Sequence, residues 1–424
     1  MSLADVAAAL RDGKLRSREL AEHALAQRRL GAFREVNEAR TLRLAETPPA
    51  DMPPDTLGIM TLATGQVTRV PGLVRWALPE ESGAVLAYLV DEPEPEDGDV
   101  AAGEAPGGAE AAGEAAGAEL PEGSGSEREK PDTHTLVVRQ LATGAEHRFE
   151  DVVDYVVSED GRRVAYTASS EDGAADGVHV VDTGSGEAVA VMTGEGLYER
   201  LAVSADGERV AFLSDRDTFE AEQPEFVLYH ARDGEAARAV ASAATEGVPG
   251  GWWVSEHGAL SFSESGDRLF FGTAPRPEPE SDEDEEELLP EEEVTLDVWH
   301  WQDDLIQPMQ ALRADEEETR TYRAVAHLDR GGRVVQLATE DMPTVEVGRE
   351  GDADIALAET DIRYRYLVGI ESPGYSDLWL VDVNDGSRRQ LLREDRIAGA
   401  HLSPDADHVA WYDFDDRAWY AMET

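Results

Sequence analysis

The sequence predicts an all-β fold: a β-propeller of four-stranded blades, incomplete or seven-bladed, with a short helical N-terminal extension. Three observations predict it. First, one unit recurs as "SEDGRRVAY" (158–166), "SADGERVAF" (204–212), "SESGDRLFF" (263–271) and "SPDADHVAW" (403–411), each a serine, a tight polar turn and a strand ending in an aromatic. "EESGAVLAY" (80–88) is a fifth copy without the leading serine, and "GREGDADIAL" (348–357) is a degenerate sixth. Second, strand-turn-strand signals follow four of these: "VVRQLATGAEHRF" (137–149), "VHVVDTGSGEAVAV" (178–191), "FVLYHARDGEAARAV" (226–240) and "LWLVDVNDGSRRQLL" (378–392). Third, Ser158 and Ser204 lie 46 residues apart and Ser204 and Ser263 lie 59 apart, the length of a four-stranded blade with loops.

Taken in order, residues 1–47 read as helical. Ser2 and Asp5 have capping-box spacing, Leu3, Val6 and Leu10 repeat at helical distance, and a second segment from Ser17 places Ala21, Ala24 and Leu25 on one face. A proline-rich linker occupies 48–55, and the propeller is expected over 56–424. Two insertions interrupt it. The Ala/Gly/Glu-rich stretch at 92–130 has too little apolar material to pack and is expected to be disordered. The acidic stretch at 275–320 ends in a helical pattern over 309–318, with Pro308 suited to the first turn. Within the blades, Val164, Ala165, Val210, Ala211, Leu269 and Phe270 are expected in the core, while Asp160, Asp206 and Asp405 are expected to form Asx-type turns rather than catalytic groups.

The chain has 424 residues, a formal net charge of -53 and no cysteine. Disulfides and thiol chemistry are therefore excluded. So acidic a surface repels nucleic acid and anionic lipid, and no apolar stretch is long enough to span a bilayer; the expected location is the cytoplasm. Of 37 basic residues only Lys14 and Lys130 are lysines. This balance resembles proteins of salt-loving organisms, in which high salt screens self-repulsion.

The stretch "DVWHWQDDLIQPMQ" (297–310) is the densest chemistry in the sequence. Period-two alternation sends Trp299 and Trp301 to one face and His300 to the other, away from Asp297 and Asp303. His300 is thus expected to pack or hydrogen-bond rather than bind metal, and the tryptophans are expected to anchor the insertion or dock a neighbouring domain. The acidic run at 281–293 lacks the spacing of a calcium loop, no zinc ligand set occurs, and no cofactor is expected. Arg75, Arg216, Arg363 and Arg365 are candidates to meet a peptide carboxylate at a central channel.

Three strings, "GALSFSESGDRLFFGTAP" (258–275), "DVWHWQDDLIQPMQ" (297–310) and "TYRAVAHL" (321–328), supported by "FLSDRD" (212–217), resemble the N-terminal β-propeller domain of the prolyl oligopeptidase-like (S9) serine peptidases. The resemblance covers residues 56 to the end. It implies a propeller that limits access to, and shapes the cavity of, an α/β-hydrolase domain carrying a Ser-Asp-His triad. No G-x-S-x-G elbow occurs here; the nearest string, "GYSDL" (374–378), has leucine where the second glycine is needed, so Ser376 is expected to be a blade serine. No catalytic residue carries over, and the hydrolase domain is expected to be missing from this chain or separately encoded. Residues 2–47 are similar to the opening helices of amidase-signature enzymes, without that family's Ser-Ser-Lys triad. The alternative expectation is an autonomous propeller that binds a peptide or partner protein.

Overall fold

The computed structural model describes residues 55–61, 64–91, 130–170, 172–277, 303, 305, 307–367 and 370–424. The expected N-terminal helices, most of both insertions, and Trp299, His300 and Trp301 lie outside the described residues. The chain divides into two compact units, Met1–Val74 and Arg75–Thr424. In the first, β1 (Thr56–Thr61) and β2 (Gln66–Pro71) form an antiparallel hairpin. This hairpin is expected from the sequence within the propeller, yet it forms its own two-stranded sheet and falls in the first unit.

The second unit is a stack of six blades among the described residues. Blade I comprises β3 (Leu73–Ala77, which begins in the first unit), β4 (Val85–Val90), β5 (His134–Gln140) and the first half of β6 (Glu146–Val157). Blade II takes the second half of β6, then β7 (Arg163–Ala168), β8 (Gly177–Asp182) and β9 (Ala188–Thr193). One strand therefore belongs to both blades. Its ladder shifts between Val152 and Asp154, next to Asp151 at φ 58°, so a bulge turns the strand from one sheet into the next. Blade III is β10 (Tyr198–Val203), β11 (Arg209–Ser214), β12 (Val227–Arg232) and β13 (Arg238–Ala241). In blade IV the innermost position is split between β14 (Trp252–Val254) and β15 (Ser261–Phe262), both pairing with β16 (Arg268–Pro275), followed by β17 (Tyr322–His327) and β18 (Arg333–Gln336). Blade V is β19 (Thr344–Glu346), β20 (Ile355–Thr360), β21 (Ser376–Asp382) and β22 (Arg388–Asp395). Blade VI has three strands, β23 (Ile397–Leu402), β24 (His408–Asp413) and β25 (Ala418–Glu423). The helix expected at 309–318 runs from Gln307 to Glu318 as α1, with Pro308 in its first turn.

Every neighbouring pair of blades shares one core. Leu136 and Val138 of blade I meet Val164 and Val181 of blade II; Val178 meets Phe212; Leu228 meets Leu269 and Phe271; Val325 meets Ala356 and Val381; Leu378 meets Val409 and Trp411. Alternation supplies both faces, because adjacent strand residues point opposite ways. Thus Ala211 faces blade IV while Val210 and Phe212 face blade II, and Val164, Ala165, Val210, Ala211, Leu269 and Phe270 are all buried as the repeat predicts.

The repeated turns share one hydrogen-bond scheme. Ser158, Ser204 and Ser403 donate through Oγ to Asp160, Asp206 and Asp405 at 2.6–2.7 Å and accept the backbone N–H five residues on at 3.0 Å. In blade IV, Ser265 replaces the aspartate. These carboxylates fix turns. Each turn also seats on the one before: a Cβ on Gly207 would lie 2.9 Å from Arg163 Cγ and 3.1 Å from Ser158 Cβ. Only in blade VI does an alanine, Ala406 at φ 55°, hold the left-handed position.

One half-buried histidine gives these cores a pH dependence. His230 on β12 stands edge-on to Phe262 of blade IV, and its Nε2 is buried with no hydrogen-bond partner among the described residues. Burial, with Arg209 and Arg232 adding repulsion, depresses its pKa from 6.5 to about 4. The unfolded chain then binds the extra proton first, so the stability of the neutral form is complete above about pH 6.5 and is lost as pH falls toward about 4. Urea unfolding of the wild type and His230→Asn across that window should show a shallower decline in the variant; parallel declines would refute the assignment.

Candidate functional site

Antiparallel connectivity gives the blades two unlike ends. The first-to-second and third-to-fourth strand turns share one end, and the second-to-third connections emerge at the other. At this second end lie the segments between β4 and β5, between β11 and β12, between β16 and β17, and between β20 and β21. The strand ends that flank both long insertions, α1 and three of the four candidate arginines therefore belong to the same end.

Those arginines are already engaged or lie apart. Arg216, in a one-turn helix at 216–218, bonds Asp217 at 2.9 Å and the Thr193 carbonyl at 3.2 Å, while Asp217 accepts the Tyr229 hydroxyl at 2.7 Å. Hydrogen bonding to Tyr229 and then to Arg216 holds the Asp217 carboxyl below its usual pKa. Arg365 donates to Asp361 at 2.9 Å, and Arg363 on the same short helix is exposed. Arg75 stands on the inner strand of blade I. Its guanidinium reaches Asp154 at 2.5 Å, bonds the Tyr155 carbonyl and lies 4.4 Å from the Tyr155 ring centroid. It ties the inner strands of blades I and II together. Burial pushes the Tyr155 phenol up to about 12, and its hydroxyl donates to the Ala87 carbonyl at 3.0 Å. The four arginines thus sit on three separate blades.

The site the structure does assemble comes from other residues. A cavity of about 540 Å³ opens against the inner strands of blades II and III and the inner segment of blade IV, with Asp154, Tyr198, Glu199, Arg200 and Leu260 in its wall. A bulge builds the central part of this wall. The β10 ladder shifts between Glu199 and Ala202, and Arg200 takes the left-handed conformation at φ 52°. Glu199 is partly buried; burial, and then the nearby Glu256 carboxylate, raise its pKa. Arg200 donates through Nε to the Glu256 carbonyl rather than to either carboxylate. Oε2 of Glu256 is a buried atom with no hydrogen-bond partner among the described residues, and His257 Nε2 stands 3.7 Å from its Oε1. Tyr198 donates to the Gly194 carbonyl at 2.7 Å, and burial pushes its phenol up to about 12. The wall therefore pairs an apolar side with the Glu199 carboxylate, which, with Glu256 nearby, gains from a cation. Such a wall binds and orients.

Sequence reasoning missed Glu199, Arg200 and Glu256. The signal available was weak: Glu199 and Arg200 stand just ahead of the repeat unit that begins at Ser204, where a polar pair leads an inner strand. Ser376 lies within blade V and donates through Oγ to Glu359 at 2.7 Å, a strand-to-strand tie. No helix among the described residues is long and apolar enough to cross a membrane, and no group of three or more potential ligands among them could hold a metal ion.

No protein-family model and no curated protein match this chain. Among solved structures, it is similar to the β-propeller domain of the trilobed protease from Pyrococcus furiosus, at 10% identity and TM-score 0.37, over 82% of this chain and 81% of that one. It is similar to the tricorn protease at 11% identity and TM-score 0.37, over 84% of this chain and 30% of that one. A prolyl endopeptidase structure matches at 14% identity and TM-score 0.36, over 80% of this chain and 37% of that one. The chain thus spans about a third of the length of these last two proteins. The fold assignment rests on the strand order and the five shared cores: the second unit is a β-propeller.

Proposed function

We propose that this chain is the non-catalytic propeller portion of an S9-like serine peptidase, gating and shaping substrate access for an α/β-hydrolase domain supplied outside these residues. The observation that carries the reading is the inner-strand cavity, with an apolar side and the Glu199 carboxylate in its wall, its pKa raised by burial and by the nearby Glu256, suited to hold the cationic end or side chain of a passing peptide. The S9-like strings of the sequence support the same reading. The formal net charge of -53 fits work in a saline cytoplasm.

The test is to co-express the full chain with an adjoining reading frame that contains G-x-S-x-G, then apply a fluorophosphonate probe and fluorogenic peptides of increasing length. Labelling and cleavage are expected only from the pair. Arg75→Ala, which unties the inner strands of blades I and II, is expected to raise cleavage of long peptides severalfold relative to short ones. Probe labelling of these 424 residues alone, or a pair indifferent to Arg75→Ala, would overturn the proposal.

A further inference from the structure

A regular β-strand sends adjacent side chains to opposite faces. Glu199 and Arg200 depart from that rule, because the bulge between Glu199 and Ala202 and the left-handed Arg200 at φ 52° place both in the wall of one cavity of about 540 Å³. Two opposite charges thus stand on neighbouring residues, with Cα atoms about 3.8 Å apart, and make no ion pair with each other. Arg200 commits only Nε, to the Glu256 carbonyl, and its two Nη groups have no hydrogen-bond partner among the described residues. The Glu199 carboxylate has no hydrogen-bond or ion-pair partner among them either. The third charged group of the wall, Asp154, is already held by Arg75 at 2.5 Å. The rest is mostly apolar, with Val153, Leu197, Leu201, Ala259 and Leu260.

These groups fit a molecule that carries both signs. A guanidinium with free Nη groups offers planar donors to a carboxylate, a carboxylate without a partner accepts from an ammonium, and the apolar wall takes hydrocarbon. The field of the whole chain favours the same choice. A formal net charge of -53 repels a lone carboxylate, whereas a zwitterion has no net charge to repel. Size narrows the class further. The two charges spring from adjacent residues, and each residue added to an extended ligand carries its own two ends roughly 3.3–3.6 Å further apart. Only a short chain can therefore bring one end to each group, while a longer one engages them singly.

We propose that this cavity is a receptor for free short peptides, in the first place a dipeptide with apolar side chains, whose ammonium is held by Glu199 and whose carboxylate is held by Arg200. The inference rests on the reading of the cavity as a place where peptide passes, and it adds Arg200 as the group that recognises a free carboxylate. A product-sized fragment is gripped at both ends, and a longer chain is not.

Isothermal titration calorimetry of the full 424-residue chain with leucyl-leucine, N-acetyl-leucyl-leucine and leucyl-leucine amide tests this. The free dipeptide should bind, and each capped form should bind roughly tenfold or more weakly, the loss expected for one charge-assisted hydrogen bond. Arg200→Gln should bind the free dipeptide and its amide equally, and Glu199→Gln should bind the free dipeptide and its N-acetyl form equally; melting temperatures check that both variants fold. Failure of the wild type to bind leucyl-leucine would overturn the proposal, as would an amide or N-acetyl form that binds it as well as the free dipeptide does. The gating reading fails separately. A co-expressed pair that cleaves peptides and responds to Arg75→Ala, in a chain that ignores leucyl-leucine, sinks this inference alone. Binding of leucyl-leucine by both ends, in a pair indifferent to Arg75→Ala, sinks the gating reading alone.

Discussion

Gly258→Ala is expected to destabilise the propeller by about 3 kcal/mol, on the scale of an overpacked core site, and to lower its melting temperature by roughly 5–10 °C. Gly258 and Gly272 meet backbone to backbone beneath the split inner position of blade IV. A Cβ on Gly258 would fall on Gly272 Cα and lie 2.7 Å from its amide nitrogen. Nothing there is the free end of a side chain, so relief requires moving β16, whose Gly272 carbonyl accepts the Ser255 N–H at 3.1 Å. The control is Gly250→Ala, where a Cβ meets nothing within 4 Å. Thermal unfolding of both variants at one salt concentration checks the prediction, and equal melting temperatures would refute it. The two glycines bracket most of "GALSFSESGDRLFFGTAP", so part of that S9-like string is a steric requirement of a close strand approach.

Lys130→Met is expected to cost about 3 kcal/mol, the usual penalty for stripping a buried carboxylate of its cation. Asp176 has no exposed surface. Its Oδ1 accepts the Ser170 N–H at 2.8 Å, and its Oδ2 accepts the Gly196 N–H at 3.4 Å and Lys130 Nζ at 3.2 Å. Lys130 also donates to the Ser170 carbonyl at 2.5 Å. Methionine keeps most of the stem and removes both of the Lys130 bonds, leaving Asp176 only the Ser170 and Gly196 N–H groups. Because the pair is largely buried, the loss should persist at high salt, unlike that of a surface ion pair. Lys130→Arg should recover most of the stability. Denaturant titration at two salt concentrations reads both results, and a loss below about 1 kcal/mol would show that water compensates Asp176.

What the sequence revealed follows from how local each interaction is. The serine turns were legible because Ser158, Asp160 and the N–H of Arg163 close their hydrogen bonds within five residues. The core positions were legible because period-two alternation buries both Val210 and Ala211, on opposite faces. The double role of β6 was not, since a bulge at Asp151–Asp154 leaves an unbroken strand pattern from Glu146 to Val157. The cavity was illegible for a different reason. Asp154, Glu199 and Leu260 come from three blades, and the left-handed Arg200 resets which side chains face inward. The arginines were attractive as charges, but Arg75, Arg216 and Arg365 have carboxylate partners, as expected where 90 acidic residues surround 37 basic ones.

The first-to-second strand turns seat on one another, Gly207 on Ser158 and Arg163 and Gly266 on Arg209, while the third-to-fourth turns at the same end stand clear, with nothing within 4 Å of a Cβ on Gly331. The opposite end accommodates connections of very different length, from the short Ser169–Asp176 link in blade II to the long segment between Pro275 and Tyr322 in blade IV. Growth is therefore easiest at the end of the long connections, where evolutionary novelty, proteolytic nicking and engineered fusions should accumulate, while the seated first-to-second turns change only by substitutions that preserve their fit.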